Sequence, residues 1–205
     1  MMQKDTYKTI SKPSDEVLFK DKNSKFFGYA FPIKHENDVK EHIDVLKKKH
    51  HTAGHWCYAY QTGMDEANLY FRANDDGEPN NSAGMPIYGQ IQSYDVTNVL
   101  VVVVRYFGGV KLGVGGLINA YKTTAQMALD ASKIVKRTIN QQFLIRFDYK
   151  NMNKVMRVIK ENNLKILDQT LELDCQIVIS VRLKDSTKIA KKFETIYEVS
   201  ITEQN

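Results

Sequence analysis

The chain has 205 residues, a formal net charge of +5 and 42% apolar residues. That is long enough for one large or two small cores without metal or disulfide staples. Its two cysteines, Cys57 and Cys175, are far apart and lack metal-ligand spacing, which suits a reducing compartment. No apolar run nears the roughly 18–20 residues that span a bilayer, so the expectation is a soluble cytoplasmic protein with no membrane contact. The basic balance makes an acidic partner plausible without establishing one.

Residues 1–15 are polar, contain Pro13, and read as a loosely held start. Residues 16–20 and 25–32 read as paired strands turning through Asp21-Lys-Asn-Ser24. From about Glu36 to Lys49, Val39, Ile43 and Leu46 fall at i, i+4 and i+7, which predicts a helix. Its closing lysines, 47–49, suit the negative end of the helix dipole. Residues 55–60 and 68–71 predict a second hairpin, and a short helix follows from about Ala83 to Ser93. From Asn98 to Phe107 the chain is strand-like, and residues 99–104 are apolar without a break. Such a run belongs in the middle of a sheet with both faces covered. A glycine-rich loop, 108–116, then leads into a helix from about Leu117 to Ser132. Leu117, Tyr121, Thr124 and Ala128 share one face of that helix, with Ile118, Ala125 and Leu129 beside it.

The pattern changes over residues 133–140, which places a domain boundary between 1–137 and 138–205. Phe143, Ile145, Phe147 and Tyr149 alternate as a strand, and Met152, Val155, Met156 and Ile159 mark a helix. Two more strands fall at about 164–171 and 176–183. Asp185 or Ser186 can cap a helix carrying Ile189, Phe193 and Ile196, and 199–202 closes as a last strand. The order βαββαβ is that of a ferredoxin-like plait. The fold class is α+β throughout.

Three constellations are candidates for function. The glycine loop sits between a strand and a helix, where backbone amides and the helix dipole can meet an anion. Lys111, Gly113, Gly115 and Gly116 belong to that reading, and a tight turn that lets the helix pack closely is the other. Neither a phosphate-binding P-loop nor a dinucleotide fingerprint is present. The acidic loop Asp75, Asp76, Gly77, Glu78 and Pro79 can hold Mg²⁺ through oxygen ligands or form turns that cap the helix near Ser82. Arg105 and Tyr106 leave the central strand beside Phe107, and cations beside aromatics can stack on unpaired bases. With Lys25, Lys111 and Lys122 they form the candidate nucleic-acid or anion surface. His55 and Cys57 point to one face of a strand, as a Cys–His pair or as a packed thiol and a bonded histidine. No catalytic residue, metal or cofactor is assigned.

Asp-Asp-Gly-Glu-Pro (75–79), Ala-Gly-Met-Pro-Ile (83–87), Asn-Val-Leu-Val-Val-Val-Val-Arg-Tyr-Phe-Gly-Gly (98–109) and Lys-Leu-Gly-Val-Gly-Gly-Leu-Ile-Asn-Ala-Tyr (111–121) together resemble the signature of the YigZ/Impact family. The similarity extends upstream to Ser24-Lys-Phe-Phe-Gly-Tyr-Ala and His55-Trp-Cys-Tyr-Ala-Tyr. Downstream, residues from about 138 fit the smaller C-terminal domain of bacterial members. Two positions depart from the pattern. Asn81-Ser82 stands where the family often has Gly-Thr, and Asn119 stands where it usually has arginine, which removes a cation that could meet phosphate. The resemblance implies an N-terminal domain similar to the second domain of ribosomal protein S-five, followed by the ferredoxin-like domain, a pairing like the tail of elongation factor G. It also implies a link to translation, because eukaryotic Impact restrains the starvation-sensing kinase of initiation by competing for that kinase's activator. The expectation is a non-enzymatic translation-associated regulator that binds RNA, the ribosome or a translation-associated protein. The alternative is an enzyme acting on a small phosphorylated or acidic substrate through the glycine and acidic loops.

Overall fold

The computed structural model describes residues 5–65 and 68–204. Residues 1–4 of the start read as loosely held, and residues 66–67 of the second hairpin's turn region, lie outside the described residues. The chain divides into two compact units, Tyr7–Arg137 and the residues from Thr138 on together with Asp5 and Thr6. Asp5 differs in this from the 1–137 grouping for a plain reason. Its carboxylate accepts a 2.6 Å hydrogen bond from Arg182 Nε, and its carbonyl accepts one of 2.8 Å from the Ile139 amide.

The first unit runs β1 (Thr6–Ile10), β2 (Val17–Asp21), β3 (Ser24–Pro32), α1 (Glu36–Lys49), β4 (His55–Thr62), β5 (Tyr70–Asn74), α2 (Gly84–Ser93), β6 (Val99–Tyr106), α3 (Gly113–Asp130) and β7 (Ile134–Thr138). Five strands form one sheet in the order β2-β3-β6-β4-β5, every neighbouring pair antiparallel. The unbroken valine run of β6 therefore lies at the centre. Val99, Val101 and Val103 pack with Ile87 and Ile91 of α2 and Leu117 and Ala125 of α3. Leu100, Val102 and Val104 turn the other way, onto Val39, Ile43 and Leu46 of α1. Burying each such side chain is worth about 1.5–3 kcal/mol, so this one strand holds the three layers together. On β3, Gly28 makes room for α3: a Cβ there would stand 2.8 Å from Thr124 Cγ2 and 2.9 Å from the Thr124 carbonyl oxygen.

Three features differ from the sequence-based expectations. The start of the chain contains strand β1, which pairs with β7, and Ile10 is buried. These two short strands form a sheet of their own, so neither shows the long apolar pattern of a core strand. Helix α3 begins at Gly113, four residues before Leu117, so Gly113, Gly115 and Gly116 belong to its first turns and not to a loop. Glycine costs about 1 kcal/mol per helical position, and the buried face from Leu117 to Leu129 offsets that cost. Ile118 is 39% exposed, off the buried face.

The second unit runs β8 (Asn140–Asp148), α4 (Met152–Glu161), β9 (Lys165–Thr170), β10 (Asp174–Arg182), α5 (Ser186–Glu194) and β11 (Val199–Gln204). Its sheet has the order β11-β8-β10-β9, again antiparallel throughout. Phe143, Ile145 and Phe147 on β8 share a core with Ile177, Ile179 and Val181 on β10, closed by Val155 and Ile159 of α4 and by Ile189 and Phe193 of α5. Period-two alternation on the strands and period-3.6 stripes on the helices point at that one core. The whole chain is thus a mixed α/β protein built on antiparallel sheets.

Candidate functional site

The four sequence blocks come together around one buried polar network in the first unit. Strand β6 alternates, so Arg105 follows Val103 onto the side of α2 and α3, while Tyr106 follows Val104 onto the side of α1. The Arg105 guanidinium carbon sits 5.5 Å from the Phe26 ring centroid and 5.6 Å from that of Phe107. Its Nη1 donates to Glu78 Oε1 at 2.6 Å, and both side chains are almost wholly buried, 7% and 4% exposed. The same carboxylate oxygen accepts a 2.7 Å hydrogen bond from the Tyr121 hydroxyl of α3. His55 Nε2 lies 3.9 Å from it. Arg105 Nε is buried with no hydrogen-bond partner among the described residues.

The acidic loop builds its own scaffold around this network. Helix α2 starts at Gly84 after Ala83, a residue that cannot cap it with its side chain. Asp75 does so from upstream: Oδ1 accepts from the amides of Ala83 and Gly84 at 2.9 and 2.8 Å, and Oδ2 from that of Asn81 at 2.9 Å. A carboxylate there also meets the positive end of the helix dipole. Asp76 Oδ2 accepts from the Trp56 amide at 2.7 Å, and its carbonyl accepts from His55 Nδ1 at 2.7 Å. Because a carbonyl only accepts, Nδ1 carries the proton and Nε2 faces Glu78. Gly77, at φ +86, turns the chain beside the His55 ring. The Pro79 carbonyl accepts from Ser82 Oγ at 2.6 Å and from the Ser82 amide at 3.0 Å. Cys57 Sγ lies 3.0 Å from the Asp75 carbonyl and 3.3 Å from the Tyr121 hydroxyl. Burial pushes both the Cys57 thiol and the Tyr121 phenol well above their ordinary values. Cys57 is therefore a packed thiol. Among the described residues no His, Cys, Asp and Glu side chains group as a metal site.

The candidate nucleic-acid surface does not assemble as one patch. Arg105 is a correction: the sequence places it facing a ligand, and its burial between two phenylalanines against Glu78 keeps it inside. Tyr106 is half-buried on the opposite face, its hydroxyl 3.0 Å from His50 Nδ1. Lys25 pairs with Tyr106 across β3 and β6, which places it on that same face of the sheet. Lys111 and Lys122 are exposed at the beginning and along the outside of α3, in the other helical layer. At Gly113, which has φ +74, and at Gly115, an added Cβ would meet nothing within 4 Å; at Gly116 it would touch Leu112. Gly108 is the glycine the turn requires, since a Cβ there would lie 2.1 Å from the Asn23 carbonyl carbon.

Sequence reasoning groups Asp75, Asp76 and Glu78 but misses that Glu78 joins His55, Cys57, Arg105 and Tyr121. One signal was available. Tyr121 is a large polar-tipped residue on the buried stripe Leu117, Tyr121, Thr124 and Ala128, and such residues find buried partners.

Residues 22–129 match the family model described as the Impact N-terminal domain. Over 157 residues the chain is 32% identical to the IMPACT family member YvyE of Bacillus subtilis, covering 77% of this chain and 71% of that protein. It is 35% identical over 96 residues to the protein IMPACT homolog of Saccharomyces cerevisiae, covering 45% of this chain and 36% of the yeast protein. A crystal structure of a hypothetical protein superposes with a TM-score of 0.75 over 98% of both chains at 21% identity, a likeness of fold. No helix among the described residues is long and apolar enough to cross a membrane.

Proposed function

The chain belongs to the Impact family, and from that membership we propose that it is a translation-associated regulator that works by binding the ribosome, its RNA or a ribosome-associated protein. The observation that carries this reading is how the signature residues are used. Asp75, Asp76, Glu78 and Arg105 all bond to the protein's own backbone or side chains, so the signature blocks shape a rigid surface. Among the groups left outside are the cations Lys25, Lys111 and Lys122, beside exposed apolar side chains such as Phe107, Val110 and Val114. Lys111 and Lys122 on the α3 side are the proposed contacts to an acidic partner, with Lys25 a separate one across the sheet. The order β11-β8-β10-β9 with βαββαβ connectivity supports a ferredoxin-like second domain over 138–205, and the first, over 1–137, is proposed to be of the ribosomal-protein S-five second-domain type.

The test is ribosome co-sedimentation over a salt series, with Lys111→Ala/Lys122→Ala and Lys25→Ala compared. Association should fall as salt rises, with a shallower dependence in the double variant, because a phosphate that no longer meets its lysine keeps about one counterion bound. Association that ignores salt, or none at low salt, overturns the reading.

A further inference from the structure

The α1 side of the sheet carries a second feature, on the opposite face from the Arg105–Glu78 pair and joined to its scaffold through Asp76. Strand β4 places Trp56, Tyr58 and Tyr60 at alternate positions, so three aromatic rings stand in a row on one face. The rings of Tyr58 and Tyr60 are nearly parallel, 13° apart, with centroids separated by 6.5 Å. Trp56 and Tyr58 line a groove of about 790 Å³ that has α1 along one side and β4 and β5 along the other, with the buried Tyr60, 1% exposed, beneath it. The volume is in the range of ligand sites, roughly 300–1,000 Å³.

Two observations define what fits there. The first is charge. Glu36, Glu41, Asp44 and Asp76 give the groove four carboxylates against three cations, Lys40, Lys47 and Arg72, on a chain whose net charge is +5. Several of these are already engaged: Arg72 Nη1 lies 3.4 Å from Glu36 Oε1, Asp76 Oδ2 accepts from the Trp56 amide, and Lys47 Nζ stands over the Trp56 ring, 5.6 Å from its centroid. That leaves Glu41 and Asp44, among the described residues, as the free carboxylates of the rim beside Lys40. The second is an unmade hydrogen bond. Trp56 Nε1 is buried with no partner among the described residues, and an indole N–H is a donor only.

We propose that this groove docks an extended, basic, proline-bearing segment of a partner protein. A polyproline-type strand has no internal hydrogen bonds, so its carbonyls are free to accept from Trp56. Its proline rings seat against the rings of Trp56 and Tyr58, and its basic side chains meet Glu41 and Asp44. A nucleic acid would bring phosphates to an acidic rim and is disfavoured. Lys47 stands over the indole where a partner's cation would sit, so it moves aside when the segment binds. The inference rests on the proposed regulatory role only in placing the partner in translation.

The protein has one tryptophan, so indole fluorescence, excited where tyrosine does not absorb, reports on Trp56 in this groove. The full chain is titrated with a peptide of Pro-Pro-Arg repeats, with Gly-Gly-Arg and Pro-Pro-Glu repeats, and with oligo(U). A saturable change is expected for Pro-Pro-Arg, at least about tenfold weaker for the others. Glu41→Lys/Asp44→Lys, both exposed on α1, should weaken Pro-Pro-Arg binding by at least about tenfold with an unchanged circular dichroism spectrum, and Lys47→Ala should tighten it. No fluorescence change, an equal response to Gly-Gly-Arg, or a preference for oligo(U) overturns the proposal. Running the same charge-reversed variant in ribosome co-sedimentation separates the two readings. Peptide binding that fails while Lys111- and Lys122-dependent association persists removes only the groove, and the reverse removes only the ribosome reading.

Discussion

Arg105 and Glu78, 27 positions apart, meet as a buried ion pair at 2.6 Å that links the central strand to the acidic loop. The Arg105 guanidinium packs against the rings of Phe26 and Phe107, and Glu78 also takes the Tyr121 hydroxyl. Removing one member leaves the other charge buried and unpaired. Glu78→Ala should therefore cost about 3–5 kcal/mol, read as a lower midpoint in urea unfolding. Glu78→Leu/Arg105→Met should cost less than the two single changes added together. A single-variant loss under about 1 kcal/mol would mean that the pair is solvated and the network dispensable.

Asp75 takes the place of the cap that α2 lacks, with three backbone amides on its two carboxylate oxygens. Asp75→Ala should destabilise the first unit by about 1–2 kcal/mol. Hydrogen exchange gives the local readout: the amides of Asn81, Ala83 and Gly84 should lose protection in the variant, while those of β6 keep theirs. Unchanged protection at Ala83 and Gly84 would show that the loop is held by something else.

What the sequence made legible follows from how local each signal is. The valine run of β6, the stripe Val39, Ile43 and Leu46 of α1, and the alternation of β8 and β10 each announce an element and its buried face within a few residues. Strands β1 and β7 gave no such signal, because Thr-Tyr-Lys-Thr-Ile and Ile-Val-Lys-Arg-Thr are stabilised by pairing with each other across the length of the unit. The start of α3 was hidden by glycines, which local propensity assigns to loops. The site failed in the same way. An arginine that closes a strand beside aromatics reads as a surface group, and its burial depends on Phe26 from β3 and Glu78 from the acidic loop. Those are tertiary facts. The groove at Trp56 was equally unreadable, since its walls come from α1, β4 and β5.

A second polar chain, Glu16–Tyr29–His50–Tyr106, should make stability fall in acid. A carboxylate only accepts, so Tyr29 donates to Glu16 and its oxygen is left to accept from His50 Nε2. Burial holds His50 below its ordinary 6.5, with Lys49 adding to the lowering and Glu16 opposing it. The folded state thus binds fewer protons than the unfolded chain below pH 6.5. The contribution is whole above 6.5 and is lost as pH falls through the folded-state value. Lys49 first, then Tyr29, hold the Glu16 carboxyl below 4.5, so its part is present above 4.5 and is lost at lower pH. Thermal midpoints across this range should show both limbs. His50→Gln should flatten the limb just below 6.5 and leave the lower one, and an unchanged upper limb would assign that loss to other groups.

Gly108 and Gly115 make opposite predictions from the same motif. At Gly108 a methyl group would lie 2.3 Å from the Ser24 amide nitrogen and closer still to Asn23. These are backbone atoms, held by the hairpin of β2 and β3, and the Gly108 amide itself donates to Ser24 Oγ at 3.1 Å. Gly108→Ala must therefore push the β6 exit away from that hairpin, at a cost of about 1–3 kcal/mol. Gly115 has a helical conformation with open space around it. Gly115→Ala should raise stability by about 0.5–1 kcal/mol, since alanine is the better helix former. The pair separates architecture from binding. A more stable Gly115→Ala protein with ribosome association intact means that the glycine serves the chain alone. The same stable protein with weakened association would show that a partner approaches the backbone of α3 closely enough to exclude a methyl group.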